Sequence, residues 1–231
     1  FRYRFAEYNV DGTFKHVPRS LVGAYKGYMT SNKLYSRSGV TPTTSKSTND
    51  FEGYATARGK GYQRIDFQQH CVIAFMLYAK YGNRNLQAVL GKGGATYSPA
   101  TTTGSSNATG NADTKNESSK YVCGLGLEGV FGGIYEWVKG VEINNRVWKI
   151  TDPDGSTRNV NAGTSDGWIT NVAAENGPFF DMVPTNVGGS ETTHYPDYYD
   201  QSSGGPLVLA RSYYDSYTFG GVACAYAVSY T

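Results

Sequence analysis

Three glycines near the middle of the chain have the G-x-G-x-x-G spacing of a dinucleotide-binding loop. They are Gly124, Gly126 and Gly129. In such a loop a strand precedes the first glycine, and a helix opening at the last one binds the pyrophosphate at its N-terminus. Here the polar run 101–120 precedes the glycines, and two further adjacent glycines follow, each of which would weaken a helix by about 1 kcal/mol. This context argues against an NAD-type enzyme, and we expect no cofactor.

A second group of residues has the types needed for nucleophilic catalysis. The segment 202–208, SSGGPLV, resembles the nucleophile loop of chymotrypsin-like proteases, and His70 precedes it in the chain as in that family. The alternative function is therefore a trypsin-like serine hydrolase that uses Ser203 and His70. The two residues before Ser203 are Gln and Ser, however, where the family has the Gly and Asp that shape its oxyanion hole. No Asp is an obvious third member of the triad, since Asp113 lies in a low-complexity loop that is not expected to hold it rigidly.

Four side chains of one loop are of types that bind divalent metal ions. They are Glu191, His194, Asp197 and Asp200. Spacing within a loop does not fix a coordination geometry, and polar loop residues are usually solvated. We therefore expect no metal site.

The composition excludes several further classes of function. The formal net charge is +2, and Lys and Arg are scattered singly, so no basic stripe predicts a nucleic-acid partner. No apolar run approaches the roughly 20 residues of a membrane span, so we expect no membrane insertion. The three cysteines are an odd number without a C-x-x-C pair, which predicts buried free thiols. The counts of 29 Gly and 20 Tyr are high and indicate many turns and much aromatic surface.

The elements that position these residues can be predicted from the hydrophobic period. Asp66 and Gln69 have the spacing of a capping box, and apolar residues recur at helical spacing over 67–78. This pattern predicts a helix that is buried on most of its circumference and that ends at Gly82. A shorter helical segment follows at 84–90 and stops at the next glycine.

The rest of the chain is predicted to form strands and loops. Residues 1–62 alternate in short segments separated by long loops, and the Gly, Ser, Thr and Asn-rich stretch 92–120 is typical of a surface loop. Residues 146–151 and 157–160 flank the turn sequence Asp-Pro-Asp-Gly and predict a hairpin. The apolar run 207–210 predicts a buried strand. The fold class is therefore α+β, with one or two helices packed on short, twisted antiparallel sheets and long loops.

The chain divides into two regions by pattern. Residues 1–64 form a β and loop segment, and residues 65–231 form the main domain, with a variable region at about 195–231. A start at Phe1 without Met, and an end at Thr231 within a strand-like run, are typical of a fragment of a longer protein.

Tyrosines crowd the C-terminal end of the chain. The segment 195–231 holds eight of the 20 tyrosines, together with Ser, Asp, Thr and Gly, and neither Lys nor Glu. This mixture is typical of antibody-type binding surfaces, where Tyr supplies rigid contact area and small polar residues supply adaptable hydrogen bonds. A tyrosine-rich sheet with ordinary cross-strand pairs is the alternative. The adjacent pairs 198–199 and 213–214 argue against it, because neighbouring strand residues point to opposite faces.

A family resemblance rests on three segments. Residues 124–138, GLGLEGVFGGIYEWV, are similar to the G-L-x-D-x-x-G-N-x-W-E-W segment of the formylglycine-generating-enzyme branch of the C-type lectin fold. Residues 81–85, YGNRN, and 207–212, LVLARS, add to it. The chain resembles the C-type-lectin-fold variable proteins of diversity-generating retroelements, in particular those of gut Bacteroides phage or prophage tail proteins. The resemblance covers 65–231 well and the first 64 residues loosely, as a tail-fibre-like segment.

The resemblance implies a fold and a mode of diversification. It implies that the central glycines let the chain turn tightly around Trp137, with Glu136 as a buried polar anchor. In that family, miscopied adenines diversify the C-terminal codons, and the favoured Asn codons never become Lys, Glu, Gln, Met or Trp. None of these five residue types occurs between Pro206 and Thr231. The strand that closes the fold in that family is not found in this sequence. The paired catalytic cysteines of the enzyme branch have no counterpart, which argues against oxidase activity. The sugar-binding triplets of animal lectins are also absent, which argues against calcium-dependent sugar binding.

The preferred function is a non-enzymatic receptor-binding protein of a phage tail or a bacterial surface, with a host surface protein or glycan as its ligand. We expect it to act as a homo-oligomer, specifically a trimer, because repeating one weak site raises avidity.

We expect the ligand to contact two loops that flank the buried strand 207–210 and converge on one face. The contact residues are Asp197, Tyr198, Tyr199, Asp200, Tyr213, Tyr214, Asp215, Tyr217 and Thr218, with Tyr226 and Tyr230 as further members. Exposed aromatic rings lower solubility unless they bind a partner. The alternative is that half of these rings pack inward.

Overall fold

The structure is a computed structural model that describes residues 5–8, 14–17, 20–93, 100–113, 115, 120–152, 155–175, 180–202, 205–212 and 220–229. The α-helices in these ranges are α1 (Thr48–Thr56), α2 (Phe67–Tyr81) and α3 (Leu86–Leu90). The strands are β1 (Phe5–Tyr8), β2 (Phe14–Val17), β3 (Gly27–Thr30), β4 (Lys33–Ser36), β5 (Cys123–Gly124), β6 (Leu127–Glu128), β7 (Glu136–Asn144), β8 (Val147–Thr151), β9 (Thr157–Asn161), β10 (Gly167–Val172), β11 (Pro184–Val187), β12 (Tyr198–Gln201), β13 (Leu207–Arg211) and β14 (Ala225–Val228).

Eight strands form one mixed sheet in the order β11-β10-β12-β14-β13-β7-β8-β9. The pairs β1–β2, β3–β4 and β5–β6 form separate two-stranded hairpins. The predicted α+β class is confirmed, and the pairs of named strands are antiparallel as predicted except for β12 and β14, which pair in parallel. The parallel pair arises because β14 returns between β12 and β13 and runs antiparallel to β13. The hairpin predicted around the Asp-Pro-Asp-Gly sequence is present as β8 and β9.

Helix α2 begins and ends where its capping residues predict. The side chain of Asp66 accepts a hydrogen bond from the backbone N–H of Gln69, whose side chain accepts one from the N–H of Asp66. Gly82 ends the helix in the left-handed region at φ 58°. The helix is less enclosed than predicted, since the side chain of Met76 is 47% exposed. Its buried side chains are concentrated at its N-terminal end, over residues 67–71.

The hydrophobic core lies between α2 and one face of the eight-stranded sheet, which we call the inner face. Trp148 of β8 is fully buried, with its ring centroid 6.0 Å from that of Phe67 and 6.3 Å from that of Tyr199. The three cysteines are buried free thiols, as predicted. The largest apolar and aromatic core side chains are Trp148, Tyr199, Phe67, Phe131, Leu77, Ile143, Ile150, Ile169, Met182 and Leu209.

Helix α1 lies in a segment that was predicted to contain only strands and loops. It has no apolar stripe, and its buried side chains are Thr48 and Ala55. Its one clear local signal is the capping box of Ser47 and Asp50. Tertiary ion pairs hold it in place, since the carboxylate of Glu52 lies 3.0 Å from Arg64 and 2.7 Å from Lys139. The residues that form these ion pairs with α1 lie outside the helix, so its own sequence does not predict them.

The described part of the N-terminal segment packs directly on the main domain. The side-chain nitrogen of Lys26, which is almost fully buried, lies 2.6 Å from the carboxylate of Glu136. The backbone carbonyl of Ala24 accepts a hydrogen bond from the N–H of Glu128 at 2.8 Å. The division predicted between residues 64 and 65 therefore does not coincide with a gap in the packing.

The glycine-rich stretch that opened the sequence analysis forms a tight hairpin. Strands β5 and β6 pair across a turn whose central residues, Leu125 and Gly126, have φ values of 56° and 78°. Two central residues at positive φ are typical of type I′ hairpin turns. Bends and then β7 follow Gly129, so this stretch does not open the helix whose N-terminus binds the pyrophosphate in a dinucleotide-binding loop.

The loop predicted at 92–120 is anchored over its described part. The carboxylate of Glu128 is buried and accepts hydrogen bonds from the backbone N–H groups of Gly104 at 2.7 Å and Ser106 at 2.9 Å, and from the hydroxyl of Ser106. Asp113 is also held, by Tyr81, Lys80 and the N–H of Leu125, which corrects the expectation that nothing would fix it.

Replacing Glu128 by glutamine is expected to loosen this loop. One carboxylate oxygen becomes an NH₂ group that faces N–H donors, so the free energy of unfolding should fall by about 1–3 kcal/mol. Limited proteolysis should then cleave within 101–113 faster than in wild type. The exposed Glu142 provides the matched Glu142→Gln control. Equal cleavage rates in all three proteins would show that Glu128 does not anchor the loop.

Candidate binding surface on the central sheet

The face of the central sheet opposite α2, which we call the outer face, carries a row of partly exposed aromatic side chains. Trp137, Ala210 and Tyr226 are direct cross-strand neighbours on β7, β13 and β14. Asp200 of β12 pairs with Tyr226 in parallel register, which extends the row. The partly exposed aromatic residues of the outer face are Trp168, Tyr198, Tyr226, Tyr135 and Trp137.

The two tyrosines of β12 point to opposite faces, as expected for adjacent strand residues. Tyr198 is partly exposed, and its ring lies edge-on to Trp168 with centroids 5.6 Å apart. Tyr199 is 0% exposed and packs in the core, where the guanidinium of Arg146 lies 5.3 Å from its ring. The prediction that Tyr199 contacts ligand is therefore wrong, because its ring fills the space beside Trp148.

Asp197 is also a buried residue and not a surface contact, which corrects a second predicted site residue. Its carboxylate accepts hydrogen bonds from the side chain of Gln87 and from the backbone N–H of Ala223, both at 2.8 Å. Burial raises the pKa of Asp197 to about 6, against the lowering effect of these hydrogen bonds. A Cβ at Gly221 would lie only 2.0 Å from the carboxylate, so this turn requires glycine. Asp197 thus anchors the turn that leads into β14.

Asp200 and Tyr226 are two predicted contact residues with positions at the surface. Both are partly exposed on the outer face. The ring of Tyr226 is tilted by 30° against that of Tyr135, with centroids 5.5 Å apart. The remaining predicted contact residues, which lie outside the described residues, are Tyr213, Tyr214, Asp215, Tyr217, Thr218 and Tyr230. Ser203, the nucleophile of the hydrolase alternative, also lies outside them.

A groove of about 330 Å³ opens on the outer face around Ala210. Its other described lining residues are Tyr135, Trp137, Ser202, Tyr226, Val228 and Ser229. Tyr135 and Trp137 were not among the predicted contact residues. The Tyr-x-Trp spacing was the available signal, because aromatic residues at period two in a strand share one face.

Trp137 has a different position from the one that the family resemblance implied. Its ring lies on the outer face, and its indole N–H donates to the backbone carbonyl of Lys46 at 3.1 Å. Trp148 is the tryptophan at the centre of the core. Glu136 does act as a polar anchor, since it accepts hydrogen bonds from Lys26 at 2.6 Å and from Ser212 at 3.2 Å.

His70 is enclosed in the core beneath the turn 221–224. It is 2% exposed, and its Nε2 lies 2.9 Å from the backbone carbonyl of Val222. Burial, and secondly the nearby charge of Arg211, lower the pKa of His70 to about 3. The imidazole is therefore neutral near pH 7, and its Nε2–H donates to Val222. This geometry gives no support to His70 as an accessible general base for the hydrolase alternative.

Arg211 of β13 is a fully buried cation in the same region. Its guanidinium donates to the backbone carbonyls of Ala223 at 3.3 Å and Met182 at 2.6 Å. It lies 5.5 Å from the ring of Phe67 and 5.6 Å from that of Trp148. Together with His70 and Asp197, Arg211 fixes the turn 221–224 against the core.

Three of the four loop residues considered as metal ligands have separate partners. Glu191 lies 3.7 Å from Lys92, and the imidazole of His194 lies 3.4 Å from Arg84. Asp197 is buried against Gln87. Across the described part of the chain, no group of three or more His, Cys, Asp or Glu side chains is arranged to hold a metal ion.

Among the helices in the described ranges, none has the length and apolar character needed to cross a bilayer. Comparison with protein-family models and with curated proteins found no match to this chain.

Proposed function

We propose that this chain is a non-enzymatic ligand-binding protein whose binding surface is the outer face of the central sheet. The observation that carries the proposal is the row of five partly exposed aromatic residues on that face, four of them on four strands and Tyr135 directly before β7. Aromatic rings are enriched in binding hot spots because they combine large contact area with few rotatable bonds. A groove among these rings adds a concave site.

The proposal also covers the protein family and the biological location of the chain. The mixed sheet, the capped α2 and the strand β13 are compatible with the C-type lectin fold of retroelement-diversified variable proteins. We propose that the chain is such a protein and that it recognises a host-surface protein or glycan from a phage tail or a bacterial surface. A homotrimer would strengthen a weak single site by avidity. Sequencing the same locus in several isolates should show substitutions at adenine positions of the last forty or so codons.

The binding experiment uses the fluorescently labelled protein on a panel of gut Bacteroides cells, measured by flow cytometry. Tyr226→Ala is expected to lower cell binding at least tenfold while the melting temperature changes by only a few degrees, because the ring is partly exposed. Tyr62→Ala is the matched control, since that side chain is 50% exposed beside Arg58 and does not line the groove. The same loss is expected for Tyr214→Ala and Tyr217→Ala.

Two results would contradict the proposal. Binding that survives Tyr226→Ala together with Tyr135→Ala would place the binding surface elsewhere. Stoichiometric labelling of Ser203 by a fluorophosphonate probe would instead favour the serine hydrolase.

A further inference from the structure

The groove on the outer face has the shape of a slot with a small floor and aromatic sides. Ala210 forms the floor, with Trp137 and Tyr226 as its neighbours on the two adjacent strands. Because adjacent strands lie about 4.8 Å apart, these two aromatic residues stand on strands separated by roughly 10 Å. The groove volume of about 330 Å³ is enough for one ring-sized group beside these aromatic side chains.

Both sides of the slot are held in place by other contacts. The indole N–H of Trp137 donates to the carbonyl of Lys46, which restricts the ring. Tyr135 packs against Tyr226 with their centroids 5.5 Å apart. A site whose side chains are ordered before binding loses less entropy when the ligand arrives.

The lining is amphipathic and uncharged over its described part. Hydroxyl groups of Ser202 and Ser229 and the phenols of Tyr135 and Tyr226 border the slot, beside the apolar Val228. None of the described lining residues is a Lys, Arg, Asp or Glu. A ligand with a formal charge would lose hydration here without gaining an ionic partner from these residues. The chemistry therefore favours a neutral ligand with apolar faces and a polar edge.

The backbone around the slot disfavours an extended peptide. Peptides that bind sheets usually add a strand to a free edge. Here β14 is paired on both sides, by β12 and β13, and β13 is paired on both sides, by β14 and β7. The slot lies in the middle of the sheet, so backbone pairing with a partner strand is not available at these strands.

We propose that this slot binds one neutral sugar residue of a surface glycan. This inference rests on the proposed function and names its ligand class. A pyranose ring presents C–H groups on its faces, which can pack on Trp137 and Tyr226, and hydroxyls at its edge, which can exchange hydrogen bonds with Ser202 and Ser229. A single small sugar in an open slot binds with roughly millimolar affinity, so useful binding needs several copies of the site.

The test is saturation-transfer NMR with methyl glycosides of glucose, galactose, mannose and N-acetylglucosamine, and with glucuronic acid as a charged probe. At least one neutral glycoside is expected to receive saturation from the protein, and glucuronic acid is expected to receive none. Ala210→Leu, which fills the floor, should lower the signal at least tenfold. Ala57→Leu is the matched control, because Ala57 is exposed at the end of α1. Tyr226→Leu replaces Ala210→Leu if the latter does not fold.

The cell-binding assay separates failure of this inference from failure of the proposed function. Periodate treatment of the cells, which cleaves vicinal diols, should abolish binding, whereas proteinase treatment should not. Binding lost only after proteinase treatment, with no glycoside signal, would overturn the sugar proposal and leave the proposed function intact. A glycoside signal that persists in both slot variants, or that only glucuronic acid gives, would also overturn it. No binding to any cells or sugar would overturn both.

Discussion

Replacing His70 by glutamine is expected to remove a large part of the protein's sensitivity to acid. Burial lowers the pKa of His70 from 6.5 to about 3, with the positive charge of Arg211 and then that of Lys26 adding to the effect. The folded state therefore resists protonation that the unfolded chain accepts readily. The stability that neutral His70 provides is complete above about pH 6.5 and is lost progressively as the pH falls towards about 3.

The expected magnitude is large for a single residue. Between about pH 7 and about pH 4, His70 should lower the free energy of unfolding by about 3 kcal/mol, at about 1.4 kcal/mol per pH unit over most of that window. Glutamine keeps a side-chain N–H donor for the carbonyl of Val222 but does not titrate. The difference in unfolding free energy between wild type and His70→Gln should therefore shift by this amount across the window.

The measurement is urea unfolding of both proteins at several pH values. Subtracting the two curves cancels the groups that they share. This matters because Asp197 acts in the opposite direction, since burial raises its pKa from 3.8 to about 6. As the pH falls from about 6 to about 4, Asp197 takes up its proton first in the folded state and so increases stability. A difference that stays constant with pH would show that His70 is accessible to protons in the folded protein.

Features encoded by local signals could be predicted from the sequence. The boundaries of α2 follow from a capping box and a terminal glycine, and both act within one turn of the helix. The strand β13 is a short apolar run that is buried on both faces, so its existence did not depend on its neighbours. The hairpin of β8 and β9 follows from its turn sequence.

Features that depend on distant partners could not be predicted in this way. Helix α1 is held by ion pairs to Arg64 and Lys139, and its apolar pattern is too weak to identify it. The sequence around Asp197 has the composition of a surface loop. In the structure its carboxylate is buried and accepts hydrogen bonds from Gln87 and from the N–H of Ala223, which is 26 residues away. The position of Trp137 on the outer face required the irregularity in β7 between Val138 and Glu142, because strict alternation from the buried Ile143 would have placed Trp137 on the core side.

The candidate site shows the same division. Alternation along β12 predicted that one member of the tyrosine pair would face outward, but it did not say which one. The pairing of Asp200 with Tyr226 and of Tyr199 with Ala225 fixes the answer, because it places Ala225 and Tyr199 on the core side. A one-residue change in this register would exchange the two tyrosines between the core and the outer face.

Truncation of these adjacent tyrosines is expected to give opposite results. Tyr199→Ala should lower the free energy of unfolding by about 3–5 kcal/mol, because a fully buried ring beside Trp148 is lost and a cavity remains. Tyr198→Ala should cost only about 1 kcal/mol or less, since its partly exposed ring has an edge contact with Trp168. In the cell-binding assay, Tyr198→Ala should weaken binding, because this ring belongs to the outer-face row.

The control for Tyr199→Ala is Tyr199→Phe, which keeps the ring and removes the hydroxyl that donates to Gln201 at 3.0 Å. Its expected cost is about 1 kcal/mol, the net contribution of one hydrogen bond. Urea unfolding of the three variants measures these differences in free energy on one scale. Equal destabilisation by Tyr198→Ala and Tyr199→Ala would mean that both rings are core residues. The outer face would then lose the part of its aromatic row that β12 supplies, and the proposed binding surface would shrink to the groove around Ala210.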